Sequence, residues 1–327
     1  MRPLRFVCLL TILLTATTPF FAQRQLPLFS DQSSQGSARP RIELQPVRRS
    51  PSSPQDDPNR AFSGNFPPAG ILPTNSGSNS IFSLAPTYGS GGSGAFSVAA
   101  ADVNGDGKLD LIVTNSCDDS NCDGTVGVLL GNGDGTFQAA VNYSSGFDTE
   151  SVAVADVNGD GKPDLLVANE CSSASCTNGS VDVLLGNGDG TFQAAVTYAL
   201  ESLPNSVAVA DVNGDGKLDL VAVGDDSVDV LLGNGDGTFQ SPSKNITESG
   251  GESVAIGDVN GDSKLDLVVA NHGDGTPNSG SVSVFLGNGD GTFQAAVSYS
   301  TGAIYTDAVI LGDMNGDGTL DLVVASQ

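Results

Sequence analysis

The chain has 327 residues and carries 38 acidic against 13 basic side chains, a net charge of −25. A surface so negative repels phosphate backbones and anionic lipid, which excludes nucleic-acid and membrane-surface partners. The single histidine, His272, leaves little room for imidazole acid–base chemistry. The charge is uneven. All eight arginines lie in residues 1–80 beside only Asp31, Glu43, Asp56 and Asp57, whereas 81–327 holds 34 acids against five lysines.

Residues 1–22 read as a secretory signal peptide. Arg2 and Arg5 precede the apolar stretch Phe6 to Leu14, too short to span a bilayer comfortably, and Ala22 offers a cleavage edge. The expectation is a secreted, extracellular or cell-envelope protein, in which disulfides are permissible. No transmembrane segment is expected after the signal peptide. Residues 23–80 contain nine of the 16 prolines among Ser, Gln, Asn and Arg. Such a composition cannot bury enough apolar surface to offset the entropy of ordering, so it reads as a disordered linker.

A repeat governs residues 81–327. The string Asp-x-Asn-Gly-Asp-(Gly/Ser)-x-x-Asp begins at Asp102, Asp156, Asp211, Asp258 and Asp313, at intervals of 54, 55, 47 and 55 residues. A second string, Gly-Asn-Gly-Asp-Gly-Thr-Phe, begins at Gly131, Gly186, Gly233 and Gly287. The short interval comes from one trimmed loop, where Gly224-Asp225-Asp226-Ser227 replaces longer connections.

Within a unit the apolar period is two. Ser151–Ala155 sets Val152 and Val154 on one face, Asp164–Ala168 is apolar on both faces, and Val181–Leu185 alternates into an Asn-Gly-Asp-Gly hairpin turn. Phe192, Ala194, Val196 and Tyr198 align on a fourth strand. Four short strands per unit predict an all-β chain, a β-propeller of about five blades with the last incomplete. Residues 81–88 match the Phe-to-Tyr strand, which suggests that the two ends of the chain share one blade. A fragment of a longer propeller is the alternative.

The Asp strings are candidate metal loops. Position 1 supplies Asp102, Asp156, Asp211, Asp258 and Asp313; position 3 the amides of Asn104, Asn158, Asn213, Asn260 and Asn315; position 5 Asp106, Asp160, Asp215, Asp262 and Asp317. Position 9 supplies Asp110, Asp164, Asp219, Asp266 and Asp321. The backbone carbonyls of Lys108, Lys162, Lys217, Lys264 and Thr319 at position 7 can add a fifth oxygen. Hard oxygens on a glycine-kinked loop suit Ca²⁺ better than Mg²⁺, and three carboxylates so close disfavour one another's ionisation without a cation. About five structural Ca²⁺ are therefore expected. Ser263 replaces a loop glycine and marks the fourth loop as the weakest site. An EF-hand or dockerin needs an acid at position 12, where Val113, Val167, Ala222, Val269 and Val324 stand. The Gly-Asn-Gly-Asp-Gly string reads as a hairpin turn in preference to a second metal site.

The run Ser151-Val-Ala-Val-Ala-Asp156-Val-Asn158-Gly-Asp160-Gly-Lys-Pro-Asp164-Leu-Leu-Val resembles the FG-GAP/VCBS repeats found in the integrin alpha-subunit propeller and in secreted bacterial proteins. The resemblance covers about 81–327. It implies a β-propeller with Ca²⁺ in a hairpin loop of each blade, although integrin propellers have seven blades.

Cys117/Cys122 and Cys171/Cys176 recur at the repeat interval. In an exported protein they read as two local disulfides, with a Cys₄ zinc site as the alternative. No nucleophile–base pair emerges, and no catalytic residue is expected. The functional expectation is a secreted, calcium-binding adhesion or recognition module for an extracellular protein or glycan. A polysaccharide-active enzyme or its accessory domain is the alternative.

Overall fold

The alternating runs Ser151–Ala155 and Val181–Leu184 are extended, and no helix occurs among the described residues. The computed structural model describes residues 86–117, 123–172, 176–225, 227–246 and 250–327. The signal peptide, the linker, residues 81–85 and Cys122 lie outside them.

Five units follow one another. Unit 1 contains β1 (Ser93–Ala101), β2 (Asp110–Cys117), β3 (Asp123–Leu129) and the first half of β4 (Val141–Ala155). Unit 2 takes the second half of β4, β5 (Asp164–Cys171), β6 (Ser180–Leu184) and β7 (Val196–Ala199). Unit 3 is β8 (Pro204–Ala210), β9 (Asp219–Gly224), β10 (Ser227–Leu231) and β11 (Ser243–Ile246). Unit 4 is β12 (Gly251–Gly257), β13 (Asp266–Asn271), β14 (Ser281–Phe285) and β15 (Val297–Ser300). Unit 5 has only β16 (Thr306–Gly312) and β17 (Asp321–Ser326).

Every unit is an antiparallel meander. Because β4 runs unbroken from one unit into the next, β1 to β7 form a single seven-stranded sheet. A bulge precedes the first-strand valine or its neighbour in all five units, between Ala95/Val98, Thr149/Ser151, Pro204/Ser206, Gly251/Ser253 and Thr306/Ala308. The bulge twists the first strand of each unit where it leaves the previous one.

The core lies between units rather than inside one sheet. One cluster joins units 1 and 2 through Val103, Ile112, Val152, Leu165 and Phe192. Equivalent clusters join units 2 and 3, 3 and 4, and 4 and 5. The central strands of units 2, 3 and 4 are therefore covered on both faces. This explains why alternation in Val181–Leu185 does not mark an exposed face: Asp182 is 2 % exposed. Its carboxylate accepts from Ser145 Oγ at 3.1 Å, Asn169 Nδ2 at 3.0 Å and Thr197 Oγ1 at 2.6 Å.

Two expectations about the fourth strand change. The strand β7 begins only at Val196, while Phe192 forms an isolated bridge with Gly186. Phe192 and Tyr198 also serve different seams. The ring of Phe192 meets Tyr143 of unit 1 edge-on at 5.4 Å, and Tyr198 meets Phe239 of unit 3 at 5.7 Å. Tyr88 packs on Phe137 in the same way, at 5.4 Å.

The two ends do not share a sheet among the described residues. Residues 86–90 form no strand, and β17 pairs only with β16. Pro86 occupies the position of Val141 and has no N–H to donate to a ladder.

Phe192→Ala should remove a buried ring from the seam between units 1 and 2 and destabilise the protein by about 3–5 kcal/mol. Val98→Ala, at a position 44 % exposed, should cost far less. Denaturant unfolding of both variants checks this, and equal losses would mean that the seam is not the core.

Candidate metal loops and the aspartates that close them

Each Asp loop folds by feeding its own carboxylates with backbone N–H groups. Asp156 Oδ1 accepts from Gly159 N at 2.7 Å and Asp160 N at 3.1 Å, and Oδ2 accepts from Gly161 N at 2.8 Å. Asp102, Asp211, Asp258 and Asp313 repeat this pattern. The position-3 amide oxygens, those of Asn104, Asn158, Asn213, Asn260 and Asn315, accept from the N–H two residues on at 2.8–2.9 Å. The position-5 carboxylates do the same toward position 7. These are Asx turns in series, and glycines such as Gly159 and Gly161, at φ 72° and 81°, let the chain curl.

The position-9 residues behave differently. Asp110, Asp164, Asp219 and Asp266 are all fully buried at the start of a second strand. In each, Oδ2 accepts from the valine N–H at loop position 2, at 2.9–3.0 Å. Oδ1 accepts from the first glycine of the Gly-Asn-Gly-Asp-Gly turn, at 2.7–2.8 Å. One carboxylate thus fastens the Asp loop to the hairpin turn after the third strand. Composition gave no hint of this clamp. The signal available was the fixed pairing of that Asp with a Gly-Asn-Gly string in four units, with no such string in the fifth. There Asp321 holds Met314 N at 2.9 Å and Asn315 Nδ2 at 3.4 Å instead.

The lysines at position 7 join the same two turns by another route. Lys108 Nζ pairs with Asp106 at 3.0 Å, Lys162 with Asp160 at 3.5 Å and Lys217 with Asp215 at 3.7 Å. The stems of Lys108, Lys162, Lys217 and Lys264 lie over Gly133, Gly188, Gly235 and Gly289 of the hairpin turns, at 2.8–3.2 Å from where a Cβ would stand. Thr319 in unit 5 hydrogen-bonds Asp317 instead, at 2.6 Å. The hairpin turns are self-contained: Asp134 accepts from Thr136 N and Oγ1, and Asn132 Nδ2 donates to Thr136 Oγ1.

The carboxylates separate electrostatically into two kinds. Burial pushes Asp164, Asp219 and Asp266 above the ordinary value, partly offset by the N–H groups they hold. Neighbouring loop acids raise them further: Asp156 and Asp160 act on Asp164, Asp262 and Asp258 on Asp266. Asp106 is lowered chiefly by its bond to Lys108, Asp317 by Thr319, and Asp258 by backbone donors led by Ser263 N. The hairpin acids Asp134, Asp189, Asp236 and Asp290 are lowered by their threonines.

The donor set fits a hard cation by its chemistry. Each loop carries three carboxylates, one amide oxygen and an available carbonyl, and in units 2 and 4 the acids are near enough to oppose one another's ionisation. Among the described residues, no group of three acidic, His or Cys side chains stands gathered around a common point. The loops instead direct their carboxylates to their own backbone. At the far end of β5 from the Asp loop of unit 2, Cys171 is disulfide-bonded to Cys176.

The sequence matches one family description, FG-GAP-like repeat, over residues 64–113, 116–167, 171–222, 211–269 and 258–324. The chain belongs to the FG-GAP-like repeat family. No curated protein matches it. Similar solved structures include an Agrocybe aegerita lectin described for recognition of non-reducing terminal N-acetylglucosamine, at 20 % identity and TM-score 0.39, covering 71 % of each chain. The biofilm matrix protein Bap1 of V. cholerae is similar at 20 % identity and TM-score 0.41, over 72 % of this chain and 35 % of that one. A Photorhabdus luminescens Tc holotoxin pore is similar at 20 % identity and TM-score 0.38, over 74 % of this chain and 11 % of that one. The chain thus spans a small part of the last two.

Ser263 is the one loop residue at a glycine position with φ in the left-handed region, at 67°. Ser263→Gly should keep the N–H that Asp258 accepts and relieve about 1 kcal/mol of backbone strain. The unfolding midpoint should rise; an unchanged or lower midpoint would show that the serine is not strained.

Proposed function

We propose that this FG-GAP-like chain is an exported β-propeller module, stiffened by calcium, that recognises an extracellular protein or glycan. What carries the reading is the fivefold recurrence of three carboxylates and an amide oxygen in one loop, on an array with 34 acids against five lysines. Asp102, Asn104, Asp106, Asp110 and the carbonyl of Lys108 would hold the ion of unit 1, and the matching residues of the other four units would do likewise. Bound Ca²⁺ supplies charge neutralisation; five ions would take the repeat region from a net −29 to −19. The chain's own contribution is to curl each loop and fasten it to the next hairpin, so that the loops stand at fixed positions on a rigid array. Recognition then falls to the surfaces between loops, and no catalytic residue is assigned. No helix among the described residues is long and apolar enough to cross a membrane.

Thermal melts with Ca²⁺ and with chelator, alongside elemental analysis, test the reading. About four or five ions per chain and a large Ca²⁺-dependent rise in Tm are expected. Asp156→Ala should lose one ion, and Asp134→Ala should lose none. Absence of bound metal, or equal loss from both variants, would contradict the assignment of the loops.

A further inference from the structure

The seam between units 1 and 2 holds an open cavity. Residues Tyr143 to Phe147 of β4 face Ser180, Asp182 and Thr197 of unit 2 across about 520 Å³ that opens to solvent. Small-ligand sites run from about 300 to 1,000 Å³. One side chain separates this joint from the next. Two residues beyond the seam tyrosine stands Ser145 here, and Leu200 between units 2 and 3, where it is 1 % exposed and packs into the core cluster. The carboxylate position differs among the units as well. Gly127 takes the place of Asp182 in unit 1, and the carbonyl of Ser90 lies where its Cβ would stand. Ser283 takes it in unit 4 and hydrogen-bonds Ser298 at 3.0 Å, and Asp229 takes it in unit 3, in the seam that Leu200 packs. The joint with Ser145 therefore combines a carboxylate with open space.

That carboxylate keeps room for a ligand. Asp182 Oδ2 accepts from Asn169 Nδ2 at 3.0 Å and from Ser145 Oγ at 3.1 Å, and Ser145 shares its single proton with Asn169 Oδ1 at 2.8 Å. Oδ1 accepts from Thr197 Oγ1 alone, at 2.6 Å. A carboxylate offers about four acceptor sites, so Oδ1 can take a further hydroxyl. Ser172, Ser180 and Gln193 add hydroxyl and amide groups to the lining, and Tyr143 and Phe147 add aromatic wall. None of the described lining residues is basic. The rim is held in advance: Phe147 pairs with Cys171 in the ladder, Cys171 is disulfide-bonded to Cys176, and Ser172 N donates to Asn178 O at 2.7 Å. A site ordered before binding loses less entropy when it binds.

We propose that this cavity binds a neutral sugar residue of an extracellular glycan. The assignment rests on the recognition reading above and narrows it to a glycan and to one seam. A pyranose carries apolar C–H groups on its faces and hydroxyls around its rim, and each hydroxyl both donates and accepts. Aromatic wall covers the first, and Asp182, Thr197, Ser172 and Gln193 serve the second. A hydrogen bond to the buried carboxylate is charge-assisted and stronger than one between neutral groups. Other ligand classes fit worse. A phosphate or an acidic sugar would meet Asp182 with no cation to offset it, on an array with 34 acids against five lysines. A calcium ion would find a single carboxylate, already holding three donors, in place of several free oxygens. An aliphatic ligand would bury that carboxylate's remaining acceptor site unpaired.

A printed array of neutral and anionic oligosaccharides, probed with the full chain in constant Ca²⁺, tests the proposal. Retention on neutral glycans alone is expected, competed by the free methyl glycoside of the residue those glycans share. Ser145→Leu puts into this seam the side chain that the next seam already holds, so its melt should match the parent's while binding falls by at least about tenfold. Gln193→Ala, at an exposed position, should weaken binding by at least about threefold and also leave the melt unmoved. Should Ser145→Leu melt lower, Gln193→Ala decides. Variants that bind as the parent does would overturn the site, even where glycan binding itself stands. A parent chain that takes anionic glycans as readily as neutral ones, or takes none, would overturn the choice of ligand. The metal count is read on the same protein, so bound ions without glycan retention would sink this proposal and leave the calcium reading in place.

Discussion

A fully buried carboxylate at the ninth position of each complete unit's loop holds two turns at once. Asp164 accepts one N–H from Val157 in the Asp loop and another from Gly186 in the hairpin after the third strand. A hydrogen bond to a charged group is worth about 1.5–3 kcal/mol, and removing its partner strands a buried group. Position, not composition, makes this aspartate indispensable. The loop, the second strand and the far hairpin cannot move independently while it stands between them. Where the hairpin is absent, in unit 5, Asp321 turns to Asn315 and the strand behind it is only partly covered.

The clamp fixes each unit internally, and the seams fix units to one another. No sheet buries both of its faces alone, so stability accumulates from neighbour to neighbour, as in other repeat architectures. Edge-to-face pairs of Tyr88 with Phe137, Tyr143 with Phe192 and Tyr198 with Phe239 mark the same joint three times. The regularity is physical: one side-chain set meets the same set at these three joints, while Asn245 stands at the tyrosine position of unit 3.

Repeat number, strand order and loop conformation were legible in the residues because glycine and Asx chemistry allow few alternatives. Gly159 and Gly161 need positive φ, and Asp156 three residues ahead of an N–H caps its own turn. The role of Asp164 was not legible. In a string of acids it reads as one ligand among several, and only its place at the head of an apolar strand, opposite Gly186, shows what it holds. Asp182 was hidden for a similar reason: alternation predicts a solvated face, but the preceding unit covers that face and Ser145, Asn169 and Thr197 satisfy the carboxylate. The fate of Tyr198 depended on a seam, and seams depend on residues a whole unit away.

The central claim is that the Asp loops, rather than the neighbouring hairpins, are built to take calcium. The clamps supply rigidity without metal, and the loop carboxylates at positions 1 and 5 remain at the surface with like charges that repel. Long-wavelength anomalous scattering from crystals grown in Ca²⁺ tests this directly. The account predicts a peak within reach of Asp156, Asn158, Asp160 and Asp164, with counterparts in the other units and none at the turn of Asp134. Peaks at the hairpin turns, or none in any Asp loop, would contradict it.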